Sequence, residues 1–341
     1  MKSSLSRRRL LLGAGTVVAL PMLNILHARG DMPQFKYKLA NDNPMTHPVT
    51  IRMQQAADRI KKESNGRMEV AVFPNNQLGG DTDMLSQLRT GALEMMTLDG
   101  LILSTYVPVT SIYGIGYAFK SYSDVWAAMD GDLGGLIRKA TDKANLYCFE
   151  TIWNNGFRSI SSSTHPIRTP EDLKGYKIRV PVSPLWISLF ESFGAAPTSI
   201  NFNEVYSALQ THVVEGQENP LINVETAKLY EVQKYISMTR HMWGGYLMLA
   251  NGPAWRRLPP NLQKIVASNL NQAGLDQRQD TMPTDDQLTP VLKKQDMIFN
   301  TPDPEPFRQM LIKSGFYDKW RTKYGVENWK VLEKYAGKIG T

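Results

Sequence analysis

A single cysteine, Cys148, stands in the 341 residues, so no intrachain disulfide can form. It lies in Leu146-Tyr-Cys-Phe149, which reads as a buried strand, and its thiol is expected to pack as a small apolar group, not to act as a nucleophile. Metal-ligand spacing is missing as well. His47, His165, His212 and His241 are scattered, with no H-E-x-x-H and no Cys/His cluster, so no catalytic metal is expected. Gly114-Ile-Gly116 lacks the third glycine and the following helix of a nucleotide loop. Ser161-Ser-Ser163 lacks a G-x-S-x-G elbow, which leaves a hydrolase nucleophile unsupported. No repeat and no low-complexity tract argues for a solenoid or a disordered array.

Long apolar runs are equally scarce. The run Leu10 to Leu26 is short for a bilayer span of ~20 residues and is broken by Pro21 and Asn24. Ser6-Arg7-Arg8-Arg9-Leu10-Leu11 precedes it and resembles a twin-arginine export signal, with Leu26-His27-Ala28 as a cleavage site. Residues 1–28 are therefore expected to be a removable signal, the alternative being a membrane anchor. Gly13-Ala-Gly15 falls inside that apolar region and is discarded as a dinucleotide motif. The formal charge is +7, but residues 1–28 carry Lys2, Arg7, Arg8 and Arg9 and no acid, so the remainder carries four charges fewer, +3. Basicity of that origin gives no support to nucleic-acid binding.

What is present is an ordinary globular composition, 42% hydrophobic and 21% charged, long enough for roughly two domains of about 150 residues. Phe35-Lys-Tyr-Lys-Leu-Ala40 alternates as a half-buried strand. Thr46-His47-Pro48 starts an amphipathic helix that ends at Asn65-Gly66. Strands are expected at Met68 to Phe73 and Glu94 to Leu98, with a helix capped by Asp81 between them. Further on, the pattern predicts a helix from Ser123 to about Asn145 and a strand from Tyr147 to Trp153. Asn154-Asn155-Gly156 then breaks the register ahead of a serine-rich loop. Arg179 sits in a short strand, followed by a helix with Leu185, Trp186, Leu189 and Phe190 on one face. Helices capped by Asn203 and spanning Val224 to Tyr235, a strand from Val213 to Asn219 and one from Met242 to Leu249 complete the middle. The rest is mostly helical, interrupted at Pro283 and Pro290. Alternating strands and helices argue for an α/β protein. Its second unit is inserted into the first, giving two lobes joined by two or three strands around a cleft.

Several segments in this order resemble the periplasmic solute-binding receptors of tripartite ATP-independent (TRAP) transporters, of the dicarboxylate/sialate-receptor type. They are Phe73-Pro-Asn-Asn-Gln-Leu-Gly79, Thr169-Pro-Glu-Asp-Leu-Lys-Gly175, Lys177-Ile-Arg-Val-Pro181, Glu204-Val-Tyr-Ser-Ala-Leu-Gln210, Val214-Glu-Gly-Gln-Glu-Asn-Pro220 and Tyr230-Glu-Val-Gln-Lys-Tyr235. The resemblance implies a two-lobed periplasmic binding fold that closes on its ligand. Lobe I is expected over 33–156 and about 244–285, lobe II over 157–243 and about 286–335. It further implies a monomeric receptor, not an enzyme, without a cofactor, that binds a small carboxylate and delivers it to membrane permease subunits. By position, Arg179 matches the residue that receives the ligand carboxylate, and Asn219 a side chain binding the same region. Arg158 in Asn155-Gly-Phe-Arg matches a second basic contact and Phe202 a pocket wall. Asp42, Asp81 and Asp99 fall where polar side chains meet the ligand's other groups.

Chemistry supports the first assignment independently, because a guanidinium offers a planar fork to a carboxylate and keeps its charge. The competing reading of Arg179 is an internal salt bridge to Glu215 or Glu218. Asn219 alternatively serves the turn before Pro220, and Arg158 alternatively is a surface charge. Trp153 and Trp243 fall at the expected lobe crossings, where they would face the cleft and suit an aromatic or hydroxylated acid. Trp186 reads as core. A periplasmic cofactor-dependent enzyme and a ligand-sensing receptor are the alternatives for the whole chain.

Overall fold

Alternating burial in Phe35–Ala40 produces β1, whose Tyr37, Leu39 and Ala40 face inward. The computed structural model describes residues 33–340; the export signal expected over 1–28 lies outside the described residues. After β1 the helix Pro48–Glu63 starts where His47 accepts a hydrogen bond from the Val49 amide and Pro48 fills the first turn. It buries Val49, Met53, Ala56, Ala57 and Ile60, and ends where Asn65 and Gly66 take φ of 52° and 77°. β2 (Met68–Phe73) pairs in parallel with β1 on one side, and β3 (Met95–Asp99) pairs in parallel on the other. Between them runs the helix Asp81–Thr90, whose cap is Gly80; Asp81 is its first residue, not its cap.

The remaining strands are β4 (Leu146–Cys148), β5 (Trp153–Ser162), β6 (Lys177–Val180), β7 (Ala196–Ser199), β8 (Gly216–Asn219), β9 (Tyr235–Asn251) and β10 (Ile298–Asn300). One hydrogen-bonded sheet runs in the order β2-β1-β3-β9-β5-β8-β6-β7, with β4 and β10 also paired to β9. β1–β3 form one half and β6–β8 the other, and β5 and β9 carry the sheet between them. The structure is α/β, as the alternation of elements implied. No helix among the described residues is long and apolar enough to cross a membrane.

Several expected elements differ. Asn154-Asn155-Gly156 does not end a strand: it is a bulge inside β5, and Ser161 and Ser162 belong to that strand instead of a loop. β5 pairs with β8 and β9 on both sides, so strand pairing outweighs the weak β propensity of Asn, Gly and Ser. The span 123–145 is two helices, Tyr122–Met129 and Asp132–Lys143. At the break, a Cβ on Gly131 would lie 2.6 Å from the Ala127 carbonyl oxygen. The helix expected over 224–235 covers only Leu221–Thr226; Lys228 turns left-handed at φ 54°, and Tyr235 opens the 17-residue β9. Asn203 lies within a short 3-10 turn, Phe202–Glu204, ahead of the helix Val205–Gln210. Pro283 does interrupt the helical region, whereas Pro290 is accommodated inside the helix Thr284–Lys293.

Candidate functional site

Parallel strands release side chains at their carboxyl ends, and in open α/β sheets that edge is where ligands bind. Asp99 is the last residue of β3, Asp42 follows β1 by two residues, Asn219 ends β8 and Arg179 is next to last in β6. Asp81 joins them from the first turn of its helix. A small cavity of about 20 Å³ lies among these groups, and Asn155, Arg158 and Phe202 line it too. Eight of the ten side chains expected at the site therefore converge on one place.

The bulge in β5 explains one of them. An extra residue in a strand re-aims its side chain. Here it points Asn155 to Asp99, with 3.4 Å between Nδ2 and Oδ2, while Gly156 takes φ of 129°. On the facing strand, a Cβ at Gly244 would sit 2.9 Å from the same Asp99 oxygen, so glycine permits the approach of β9.

The two buried arginines have different company. Arg158 donates from Nε to Glu218 Oε2 (2.5 Å) and from Nη2 to Glu218 Oε1 (2.8 Å), to the Glu218 carbonyl (2.9 Å) and to Asn219 Oδ1 (2.9 Å). Its guanidinium also lies 4.9 Å from the Trp186 ring. Burial opposes the charge on Arg158, but Glu218 outweighs burial and holds it above its ordinary value. Burial likewise opposes the Glu218 carboxylate, and Arg158 with His241 holds it below the usual range. His241 completes the group. Burial lowers its basicity, so the neutral ring donates from Nε2 to Glu218 (3.1 Å) and accepts at Nδ1 from Thr239 (2.8 Å).

Arg179 has no such partner. Its side chain is 1% exposed, yet among the described residues only Nε is engaged, donating to the Ile200 carbonyl at 2.8 Å. Burial pulls it down to about 10, Arg158 pushes the same way, and Glu218, Asp81 and Asp42 oppose. A guanidinium at that level stays charged at neutral pH, with both Nη groups available. The internal salt bridge weighed for Arg179 thus belongs to Arg158, which is no surface charge.

Opposite stand three carboxylates. Burial raises Asp42 to about 6, with Asp99 adding to the effect; burial also raises Asp81, well above the usual carboxylate range, and Asp99. Asp99 accepts from the Leu101 amide (2.9 Å) and Tyr113 Oη (3.0 Å), whereas Asp42 accepts from Asn43 at 2.8 Å. A carboxyl whose folded pKa exceeds its unfolded value of 3.8 holds its proton more tightly when folded. Its stabilising contribution is present below the unfolded value and is lost as pH rises through about 6. Asp42→Asn should therefore flatten the fall in ligand-free stability between pH 4 and 7, measured by urea unfolding. An unchanged slope would place the titration elsewhere.

Asn219 is largely occupied with the protein. Its Oδ1 accepts from Arg158 and Asn223 (3.1 Å), and its Nδ2 donates to Gln217 (2.6 Å). Asn223, Tyr246, Ile102 and Trp186 also line the cavity and were not foreseen. Asn223 was legible as a partner of Asn219 four residues away, on the first turn of the helix after Pro220. Trp153 and Trp243 are not brought to this cavity. Trp153 packs in the core under the helix Pro260–Thr281, so close that a Cβ on Gly274 would lie 2.6 Å from its Nε1. Trp243 lies 5.3 Å from Tyr113 and 5.6 Å from Trp126 between ring centres and donates to Asn154 at 2.9 Å.

A cavity at the strand ends of a sheet whose two halves share β5 and β9 defines the class of two-lobed solute-binding proteins. The family described as bacterial extracellular solute-binding protein, family 7, matches residues 39–320, and the chain belongs to it. This is a family of solute receptors, not of enzymes. The chain is 32% identical over 256 residues to the sialic acid-binding periplasmic protein of Vibrio cholerae, covering 75% of this chain and 79% of that one. It is also 32% identical over 278 residues to an uncharacterised Sinorhizobium fredii protein, of which the match spans 51%. Among solved structures, a TRAP periplasmic solute-binding protein from a Sulfitobacter species with bound β-D-galacturonate superposes with a TM-score of 0.84. That likeness has 25% identity and covers 89% of this chain and all of the other.

Proposed function

We propose that this chain is the periplasmic receptor of a TRAP transporter and that it carries a small hydroxylated organic acid to the permease. The observation that supports this reading most is Arg179, buried, charged and with neither Nη group hydrogen-bonded among the described residues. A carboxylate fits that fork bidentately. Arg158 shapes the pocket beside it, already neutralised by Glu218. The wall of Asp42, Asp81 and Asp99 offers acceptors, and Asp81, whose proton burial retains, offers a donor as well, so the remainder of the ligand has to match both. Hydroxyl groups do so without bringing further negative charge, as a second carboxylate would. Trp153 and Trp243, placed in the core, no longer argue for an aromatic ligand; Trp186, Phe202 and Tyr246 do line the cavity, and the three carboxyl groups beside them favour the hydroxylated acid. The two lobes, 33–156 with about 244–285 and 157–243 with about 286–335, would close by bending where β5 and β9 pass between them. Export of a monomeric receptor by the twin-arginine signal completes the proposal.

Calorimetry with aldonates, uronates and dicarboxylates tests the ligand class through the sign of its pH dependence. A hydroxyl donating to Asp42 favours the ionised carboxylate, so binding releases protons. Affinity should then rise with pH up to about 6, by no more than about tenfold per pH unit for each proton. Tightening on acidification, with dicarboxylates preferred, would mean that protonated aspartates hold a second carboxylate, and the hydroxy-acid reading would fall.

A further inference from the structure

A second cavity, of about 330 Å³, shares no lining residue with the first and is of a size that holds small molecules, ~300 Å³ and upward. Its floor is apolar, built from Phe119, Phe157, Met238, Pro302 and Pro304. Among the described residues, two of its lining groups are buried donors without a hydrogen-bond partner, the Tyr117 hydroxyl and Arg308 Nε. Native proteins rarely leave such groups unmatched. The nearest acid to Arg308, Glu305, stands 3.8 Å from that nitrogen, outside hydrogen-bond range.

The backbone adds an independent sign. Tyr117 and Arg240, both lining this cavity, take φ of 55° and 43°, left-handed values that bulky non-glycine residues adopt uncommonly. They are tied through neighbours, because the Tyr117 amide donates to the His241 carbonyl at 2.8 Å. Arg240 is held by Asp285 at 2.7 Å and lies 4.2 Å over the Phe157 ring. The charged groups of the cavity are Lys120, Arg240 and Arg308 against Glu305, with Asp285 engaged by Arg240. Both unmatched groups are donors and the balance is cationic, so an acceptor that bears negative charge is the complementary chemistry.

We propose that this cavity is an accessory binding site for a small carboxylate with an apolar body. The body rests on Phe119, Phe157 and Met238, and the carboxylate accepts from the Tyr117 hydroxyl and Arg308. The probe is octanoate, titrated calorimetrically into the full chain, with octan-1-ol as its uncharged counterpart. Octanoate should bind at one site, and octan-1-ol at least about tenfold more weakly. Tyr117→Phe, which removes one oxygen and no bulk, should weaken octanoate about fivefold, and Arg308→Leu about tenfold or more. Arg179→Ala should leave octanoate binding unchanged, which separates this site from the first cavity. Absence of saturable binding overturns the proposal. So does octanoate affinity that is lost in Arg179→Ala or untouched by Tyr117→Phe.

Discussion

Arg179→Ala should abolish ligand binding while leaving the protein folded. Two charge-assisted hydrogen bonds from the Nη groups contribute about 1.5–3 kcal/mol each. Losing both corresponds to roughly a hundredfold to ten-thousandfold in affinity, enough to remove a calorimetric signal for a micromolar ligand. The ligand-free fold should not suffer, because within the protein this guanidinium makes one hydrogen bond, Nε to the Ile200 carbonyl, and its charge is buried without an ion pair. Removing an unpaired buried cation relieves a desolvation cost, so thermal unfolding of the ligand-free variant should occur at the same temperature or higher. Arg179→Lys should lose nearly as much affinity as alanine. An ammonium cannot reproduce the planar fork, and it loses the Nε–H that orients the side chain. Retained affinity in Arg179→Ala would show that the carboxylate anchor lies elsewhere, Arg158 being the only other cation among the described residues that lines the cavity.

The strand–helix alternation was legible because its physics is local. His47-Pro48 and Asn65-Gly66 mark a helix by capping and left-handed geometry, and β1 and β2 carry period-two burial. The polar members of the site were legible through the segments that resemble TRAP receptors, Lys177-Ile-Arg-Val-Pro181 and Val214-Glu-Gly-Gln-Glu-Asn-Pro220 among them. Long-range pairing was not. Asn154-Asn155-Gly156 carries turn residues, yet paired against β9 it is a bulge, and an added residue changes which face each following side chain occupies. A strand read as ending at Trp153 leaves that ring free to face the cleft. In the structure β4 stops at Cys148 and Trp153 instead opens β5, which sets its ring against the helix Pro260–Thr281. Trp186 packs in the core as expected, and it also reaches the cavity wall. An apolar helix face predicts packing, and Trp186 is fully buried, but part of what covers it is the Arg158 guanidinium at the cavity wall.

Glu218→Ala carries the largest expected cost to the fold. Every charge-bearing atom of this carboxylate is committed, Oε1 to Arg158 and Oε2 to both Arg158 and His241, and the side chain is completely buried. Removing it leaves the Arg158 charge buried without a partner, which costs about 3–5 kcal/mol. The urea midpoint should fall accordingly, and melting should drop by roughly 1–2 °C for each kcal/mol lost in a chain of this length. Glu218→Gln should be milder, since the amide oxygen still accepts from one Arg158 nitrogen. The pair Arg158→Met with Glu218→Leu should recover most of the loss, because neither charge is then buried. Recovery in the double variant separates a pair that shapes the pocket from a cation needed by the ligand. If Arg158 served the ligand directly, the double variant would be stable and unable to bind; if it serves as scaffold, binding through Arg179 survives with at most a modest loss. Glu218→Ala that unfolds within 1 kcal/mol of the parent would mean that water, not Glu218, balances Arg158.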